Sequence, residues 1–330
     1  MIETRQWQLT VASGLDLHVE EIRPDGAPAG TARLAAELSW DPAPPRPVSG
    51  TGQPSEGLSD SGDDGTMVPV VLVHGIAGSA ADWAAVAPNL ATNRRVIAYD
   101  QRGHGASGPA PGGRPDYTFD LLLADLGVVV DSLDAKRIDL VGHSMGGVIS
   151  LRYALDHPDR VRSLVLVDTA AAPATATGPL ARRVVGALLD RVAAFTSAHR
   201  RATGPAGGES RAAGGGGPGG IEAVRHDASP AQRQVTALSQ MDPEAVAALG
   251  RELGRYPSLV PRLGEITAPT TVLVGENDTS LRDSARTMTD AIPNAHLAVI
   301  AGADHSPHAS RPLAWLTALD NHFARLTAAR

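Results

Sequence analysis

Four short apolar runs constrain the fold of this chain most. They are Pro69-Val70-Val71-Leu72-Val73, Arg95-Val96-Ile97-Ala98-Tyr99, Ile138-Asp139-Leu140-Val141 and Val161 to Val167. A strand with one wet face alternates apolar and polar residues. A run without alternation buries both faces. Stretches that read as helices separate the runs, over Ala81 to Leu90, Phe119 to Leu133 and Gly147 to Leu155. Strand, helix, strand in this order predicts a parallel sheet covered by helices on both faces, an α/β fold. The sheet is expected to resume at Thr270 to Val274 and at His296 to Ile300, with Leu313 to Arg325 as a closing helix. Trp7 to Val11 and Leu15 to Ile22 read as strands joined by a turn at Ala12-Ser13-Gly14.

The alternation stops near Thr169. Leu180, Val184, Leu188 and Val192 recur every four residues, as on an amphipathic helix. Helical pattern also runs from Pro230 to Arg255, with a break expected at Asp242-Pro243. The reading is one α/β core, 1–170 and 266–330, interrupted by a mostly helical insertion at 171–265. Ala32 to Trp40 reads as a third edge strand or an irregular extension. The tract 41–66 is rich in Pro, Gly, Ser and Asp and reads as a mobile surface insertion. The tract 203–220 contains Gly214 to Gly217, but no Lys-Ser or Lys-Thr pair follows and no strand precedes it. It reads as a flexible linker rather than a phosphate cradle.

The 330 residues are 42% hydrophobic and 20% charged, which fits a globular protein. A net charge of −7 argues against nucleic acid as a partner and against a polybasic membrane anchor. No apolar run approaches the ~18–20 residues of a membrane span. The first residues lack the basic start and apolar stretch of a secretion signal, so a cytoplasmic location is expected. The absence of cysteine removes disulfides, thiolate metal sites and a cysteine nucleophile together. Aromatic residues make up only 3%, so a substrate pocket is expected to be lined mostly by aliphatic side chains.

Gly142-His143-Ser144-Met145-Gly146 sits between a predicted strand and a predicted helix. In that context the pattern reads as a nucleophile elbow, with Ser144 on a sharp turn above the sheet. A serine hydroxyl needs a base, and the base needs an orienting acid. Asp278 follows one late strand and His305 follows the next. Parallel strands open their C-terminal ends on one edge, so Ser144, Asp278 and His305 can converge. Glu276 is a rival acid and His308 a rival base, while Asp304 reads as a loop hydrogen-bonding residue. His305-Ser306-Pro307-His308 has only a loose metal-ligand spacing, and no third ligand pattern lies nearby. His157, His226 and His322 read as surface residues. Backbone N–H groups of Ile76, in the loop His74 to Ser79, and of Met145 are the expected oxyanion donors.

Five motifs occur in order: His74-Gly75-x-x-Gly78-Ser79, Tyr99-Asp100-x-Arg102-Gly103-His104-Gly105-x-Ser107, Gly142 to Gly147, Val274-Gly275-Glu276-Asn277-Asp278 and Gly302-x-x-His305-Ser306-Pro307. With them the chain resembles the α/β-hydrolase superfamily, in its esterase, lactonase and carbon–carbon hydrolase branch. The resemblance covers about 68–170 and 266–325. It implies an eight-stranded, mostly parallel sheet, a helical cap after strand six, and the triad Ser144, Asp278, His305. The turn from Asp100 to His104 is expected to be structural. Serine at 144 sets the chain apart from members with an aspartate nucleophile, which include dehalogenases and epoxide hydrolases. The implied activity is cleavage of a carboxylic ester or lactone, a small-molecule ester-like substrate, with no cofactor and no metal. Carbon–carbon bond hydrolysis and cofactor-free perhydrolysis use the same parts. A hydrolase fold that binds a ligand without turning it over is the reading from another class.

Overall fold

A computed structural model describes residues 1–25, 67–173 and 240–328 of the chain. The expected edge strand at 32–40, the tracts 41–66 and 203–220, the helix at 180–192 and His226 lie outside these residues. Eight strands form one sheet: β1 (Ile2–Thr10), β2 (Asp16–Pro24), β3 (Val70–Val73), β4 (Val96–Tyr99), β5 (Ile138–His143), β6 (Val161–Val167), β7 (Thr270–Gly275) and β8 (Ala295–Ile300). Their spatial order is β1-β2-β4-β3-β5-β6-β7-β8. β1 and β2 pair antiparallel, as do β2 and β4, and every other pairing is parallel. This is the α/β-hydrolase fold expected from the motifs.

The apolar runs form the centre of the sheet. Every residue of β3, β4 and β5 is buried. One face packs against α1 (Phe119–Asp131) and α2 (Met145–Asp156), through Leu122, Leu126, Val129 and Ile149. The other face packs against Trp83 and the closing helix α5 (Pro312–Ala328), through Trp315, Leu319 and Phe323. Between β6 and β7 the described chain holds α3 (Pro243–Leu253), and α4 (Arg282–Ala291) lies between β7 and β8. The break expected at Asp242-Pro243 is the start of α3, where the Asp242 side chain accepts from Glu244 N–H.

Two sequence expectations need correction. The single helix expected over Ala81 to Leu90 is a 3₁₀ turn, Ala80–Trp83, followed by a separate short helix, Ala87–Leu90. Pro88 lacks an N–H and fits only the first turn of a helix, so it forces a fresh start there. His322 is buried rather than exposed, and its Nδ1 lies 2.8 Å from Thr271 Oγ1 on β7.

The turn after β4 is held from inside. Arg102 donates from Nε and Nη2 to the two Asp125 oxygens, each at 2.7 Å, and from Nη1 to the Asp116 carbonyl. Both side chains are almost wholly buried. Burial pushes the Asp125 carboxyl upward even beside Arg102. Removing one partner strands the other charge in a dry interior. Asp125→Ala should therefore lower unfolding free energy by about 3–5 kcal/mol in urea titration. The double change Arg102→Met with Asp125→Leu should cost less than that single change. A loss below about 1 kcal/mol for Asp125→Ala would contradict this role for the pair.

Candidate active site

The end of β5 turns into α2 within one residue. Ser144 carries φ 52° and ψ −118°, a conformation L-residues avoid. A Cβ on Gly146 would run into the Val73 carbonyl oxygen, and one on Gly142 would meet Ser150 Oγ and the Gly146 carbonyl. Glycine at both positions lets α2 start this close to the sheet. The neighbouring strand fixes the turn. Ser144 N–H donates to Val167 O at 2.9 Å, and Thr169 Oγ1 donates to Ser144 O at 2.7 Å.

Two later strand ends bring in the remaining groups. His305 Nε2 lies 3.0 Å from Ser144 Oγ, and His305 Nδ1 lies 2.6 Å from Asp278 Oδ2. Asp278 is buried, whereas the His305 side chain is about half exposed. Ser280 Oγ donates to the other Asp278 oxygen at 2.7 Å. With Nδ1–H donating to Asp278, Nε2 carries the lone pair that faces the serine. His143 Nε2–H donates to the His305 carbonyl at 2.7 Å and so ties the His305 loop to the end of β5.

The rivals are engaged elsewhere. Glu276 accepts from Gly302 N–H, and Asp304 accepts from Ser306 N–H and Ser310 Oγ. His308 is buried, with its ring 4.5 Å from that of Trp83 and 4.7 Å from that of His143. His157 stacks on Tyr153.

The loop after β3 lies against the elbow: a Cβ on Gly75 would be 3.1 Å from the Ser144 Cβ. Its polar groups are largely spoken for. His74 Nδ1–H donates to Gly75 O at 2.7 Å, Gly78 N–H donates to the same oxygen, and Ala77 N–H donates to His104 Nε2 at 3.3 Å. Ala77 has φ 61°, which turns the loop. Ile76 N–H makes no hydrogen bond among the described residues. Met145 N–H, in the first turn of α2, has no partner within its helix. Met145 N–H thus follows Ser144 at a helix N-terminus that favours negative charge, and Ile76 N–H lies in the loop packed against the elbow.

Charge is distributed unevenly here. Burial keeps His74 and His143 well below the ordinary histidine range, His104 at about 4 and His308 at about 3, so all four are neutral at pH 7. Burial also lowers His305, but the Asp278 hydrogen bond and charge outweigh it, and the net direction is upward. For Asp278, burial is outweighed by the His305 and Ser280 hydrogen bonds, and the net direction is downward.

Sequence reasoning assigned no role to Asp168, which the structure places beside Asp278 and His305. The available signal was a third acid at the end of a parallel strand. Among the described residues these three form the one cluster with metal-ligand spacing, their ligating atoms lying within 4.8 Å of one another. His308 is not part of it. His305 Nδ1 and Asp278 Oδ2 are already engaged with each other.

A family model for the alpha/beta hydrolase fold matches residues 68–312. The chain belongs to this family. Over 108 residues this α/β hydrolase is 43% identical to a 2-hydroxy-6-oxo-2,4-heptadienoate hydrolase of Pseudomonas putida F1, covering 32% of this chain and 38% of that protein. It is 40% identical over 107 residues to a fluoroacetate dehalogenase of Burkholderia sp, covering 32% and 35%. The chain thus spans less than two fifths of the length of these curated relatives. A carboxylesterase structure from the thaumarchaeon Nitrososphaera gargenis superposes with a TM-score of 0.68, at 20% identity, covering 98% of this chain and 100% of that one. At that identity the likeness shows the fold alone. No helix among the described residues is long and apolar enough to cross a membrane.

In an NMR titration of the imidazole groups, His305 should titrate above the ordinary histidine value, while His143 stays neutral through the ordinary histidine range. Asp278→Asn removes the charge that favours the imidazolium and should lower the His305 midpoint. An unchanged or higher midpoint in that variant would contradict the electrostatic account.

Proposed function

We propose that this α/β hydrolase is a serine hydrolase that cleaves a carboxylic ester or lactone through an acyl-enzyme on Ser144. One observation carries the reading: the unbroken hydrogen-bonded chain from Ser144 Oγ through His305 to Asp278. In this reading Ser144 Oγ attacks the substrate carbonyl while His305 Nε2 takes its proton. Asp278 holds the tautomer and stabilises the imidazolium. The negative charge of the tetrahedral intermediate rests on the Ile76 and Met145 N–H groups. His305 then protonates the leaving alcohol. Water enters, gives its proton to His305 and frees the acid from Ser144. These steps call on no cofactor.

We also assign the insertion at 171–265 as a cap over the site. Its described part is tied to the core at Asp242 and at Tyr256. Tyr117 OH donates to Asp242 at 2.5 Å, Asp242 N–H donates to the Gly103 carbonyl, and Tyr256 OH donates to the Ala170 carbonyl.

Carbon–carbon cleavage is the second reading, favoured by the similarity to the oxo-dienoate hydrolase. A 6-oxo-dienoate contains no ester, so its hydrolysis breaks carbon from carbon. The dehalogenase likeness supports no transfer, because the nucleophile position here is serine.

A fluorophosphonate probe and a panel of nitrophenyl esters beside a 6-oxo-dienoate test both readings. Ser144 should be labelled, and Ser144→Ala should lose the label and about 10⁴-fold or more of kcat. Esters should turn over faster than the dienoate. A wild-type protein that resists the probe and hydrolyses neither class would overturn the proposal.

The acid limb of kcat/KM should lie above pH 6.5, since only neutral His305 accepts the serine proton and its midpoint is raised. Activity should therefore rise with pH through that midpoint. A limb below the ordinary histidine value would contradict the assignment of His305 as base.

A further inference from the structure

β6 ends in a residue the acyl-transfer steps do not use. Asp168 follows Val167 directly, carries φ 42° and is almost fully buried. Its backbone N–H donates to Leu273 O, and its Oδ1 accepts from Gly275 N–H at 2.9 Å. Both contacts turn its side chain toward the strand that leads into Asp278. The other oxygen, Oδ2, is buried and accepts no hydrogen bond from any described group. The Asp168 carboxyl lies beside that of Asp278, close enough for a side-chain hydrogen bond between them, and ligating atoms of Asp168, Asp278 and His305 lie within 4.8 Å of one another.

Two ionised carboxylates side by side in a buried site repel one another, and an unsolvated anionic oxygen has no donor to stabilise it. A proton on Oδ2 removes both costs at once. The oxygen then becomes a donor, and the nearest acceptor is Asp278. We propose that Asp168 holds a proton at neutral pH and donates it to Asp278, so that the acid behind His305 is a carboxyl–carboxylate pair rather than one aspartate. Asp168 is then a positioning residue. It fixes Asp278 from the β6 side while Ser280 fixes it from the other, and it withholds a second negative charge from His305.

The groups facing this pair are few. Asp168 meets Asp278, His305 and the Gly275 N–H. His305 meets the Asp278 and Asp304 anions and the Asp168 carboxyl, with neutral His143 and His308 beside it. Burial, with the Asp278 charge and hydrogen bond added, places the Asp168 ionisation at about 8. Below that pH the pair carries one charge. Above it Asp168 loses the proton it donates to Asp278, the two anions repel, and the acid behind His305 is no longer held from the β6 side.

The activity part of the test rests on the serine hydrolase reading; the protonation part does not. Carboxyl carbons of the full-length protein can be followed by ¹³C NMR across pH 4 to 10, with the Asp168 signal assigned by its loss in Asp168→Asn. The signal should stay in the protonated range through pH 7 and move near pH 8. Asparagine tolerates φ above zero, can keep the Gly275 contact and can donate from its amide. Asp168→Asn should therefore keep nitrophenyl ester turnover at pH 7 within about threefold, while Asp168→Ala loses roughly tenfold or more in kcat with KM little changed. The wild-type kcat/KM profile should turn down near pH 8, and that inflection should vanish in Asp168→Asn. An Asp168 signal that ionises below pH 6 would overturn the proposal, and so would an inflection near 8 that persists in Asp168→Asn. A protein inactive on every ester would sink the hydrolase reading and leave the carbon titration to decide for Asp168. If Asp168→Ala does not fold, the asparagine variant and the titration decide alone.

Discussion

Ser144 sits in a backbone conformation that costs on the order of 1–3 kcal/mol for a residue with a Cβ. Val167 and Thr169 hold it there, through the Ser144 N–H and the Ser144 carbonyl. Those two residues flank Asp168, which reaches the next strand through Gly275. A three-residue segment at the end of β6 thus braces Ser144 on one side and reaches β7 on the other. The spacing between Ser144, His305 and Asp278 is set by the separation of parallel strands, and the glycines at 142 and 146 let the helix approach closely enough for that spacing to be used.

The second physical element is the dryness of the surroundings. Four buried imidazoles lie at or near the site, and burial keeps each of them neutral. Three of them serve as oriented hydrogen-bonding groups, His74 to the Gly75 carbonyl, His104 from Ala77 N–H and His143 to the His305 carbonyl, while His308 packs against the rings of Trp83 and His143. His305 differs from them through its contact with Asp278 and its partial exposure. That contrast separates one titrating imidazole from four neutral, buried rings, although all five are the same residue type.

Much of this arrangement was legible in the sequence. Unbroken apolar runs marked strands buried on both faces, and the chemistry of a parallel sheet collects at the ends of its strands. That logic pointed to Ser144, Asp278 and His305, which the structure brings within hydrogen-bonding distance. What stayed hidden depended on contacts between strands. The side-chain direction of Asp168 follows from a φ of 42° and a bond to β7, neither of which leaves a mark in composition or periodicity. The burial of His322 had a visible signal, since Trp315, Leu319 and His322 share one face of α5 at helical spacing. The helix break before Leu90 also had one, in Pro88.

The central claim is that a carbonyl carbon bonded to Ser144 Oγ develops an oxyanion between two particular N–H groups. A crystal structure of the protein soaked with an alkyl boronic acid, which forms a tetrahedral adduct with an activated serine, tests it most directly. The account predicts boron bonded to Ser144 Oγ, one boronate oxygen about 2.7–3.1 Å from both Ile76 N and Met145 N, and another facing His305 Nε2. An adduct whose oxygens avoid both N–H groups, or a boronic acid bound without a bond to Ser144, would contradict it.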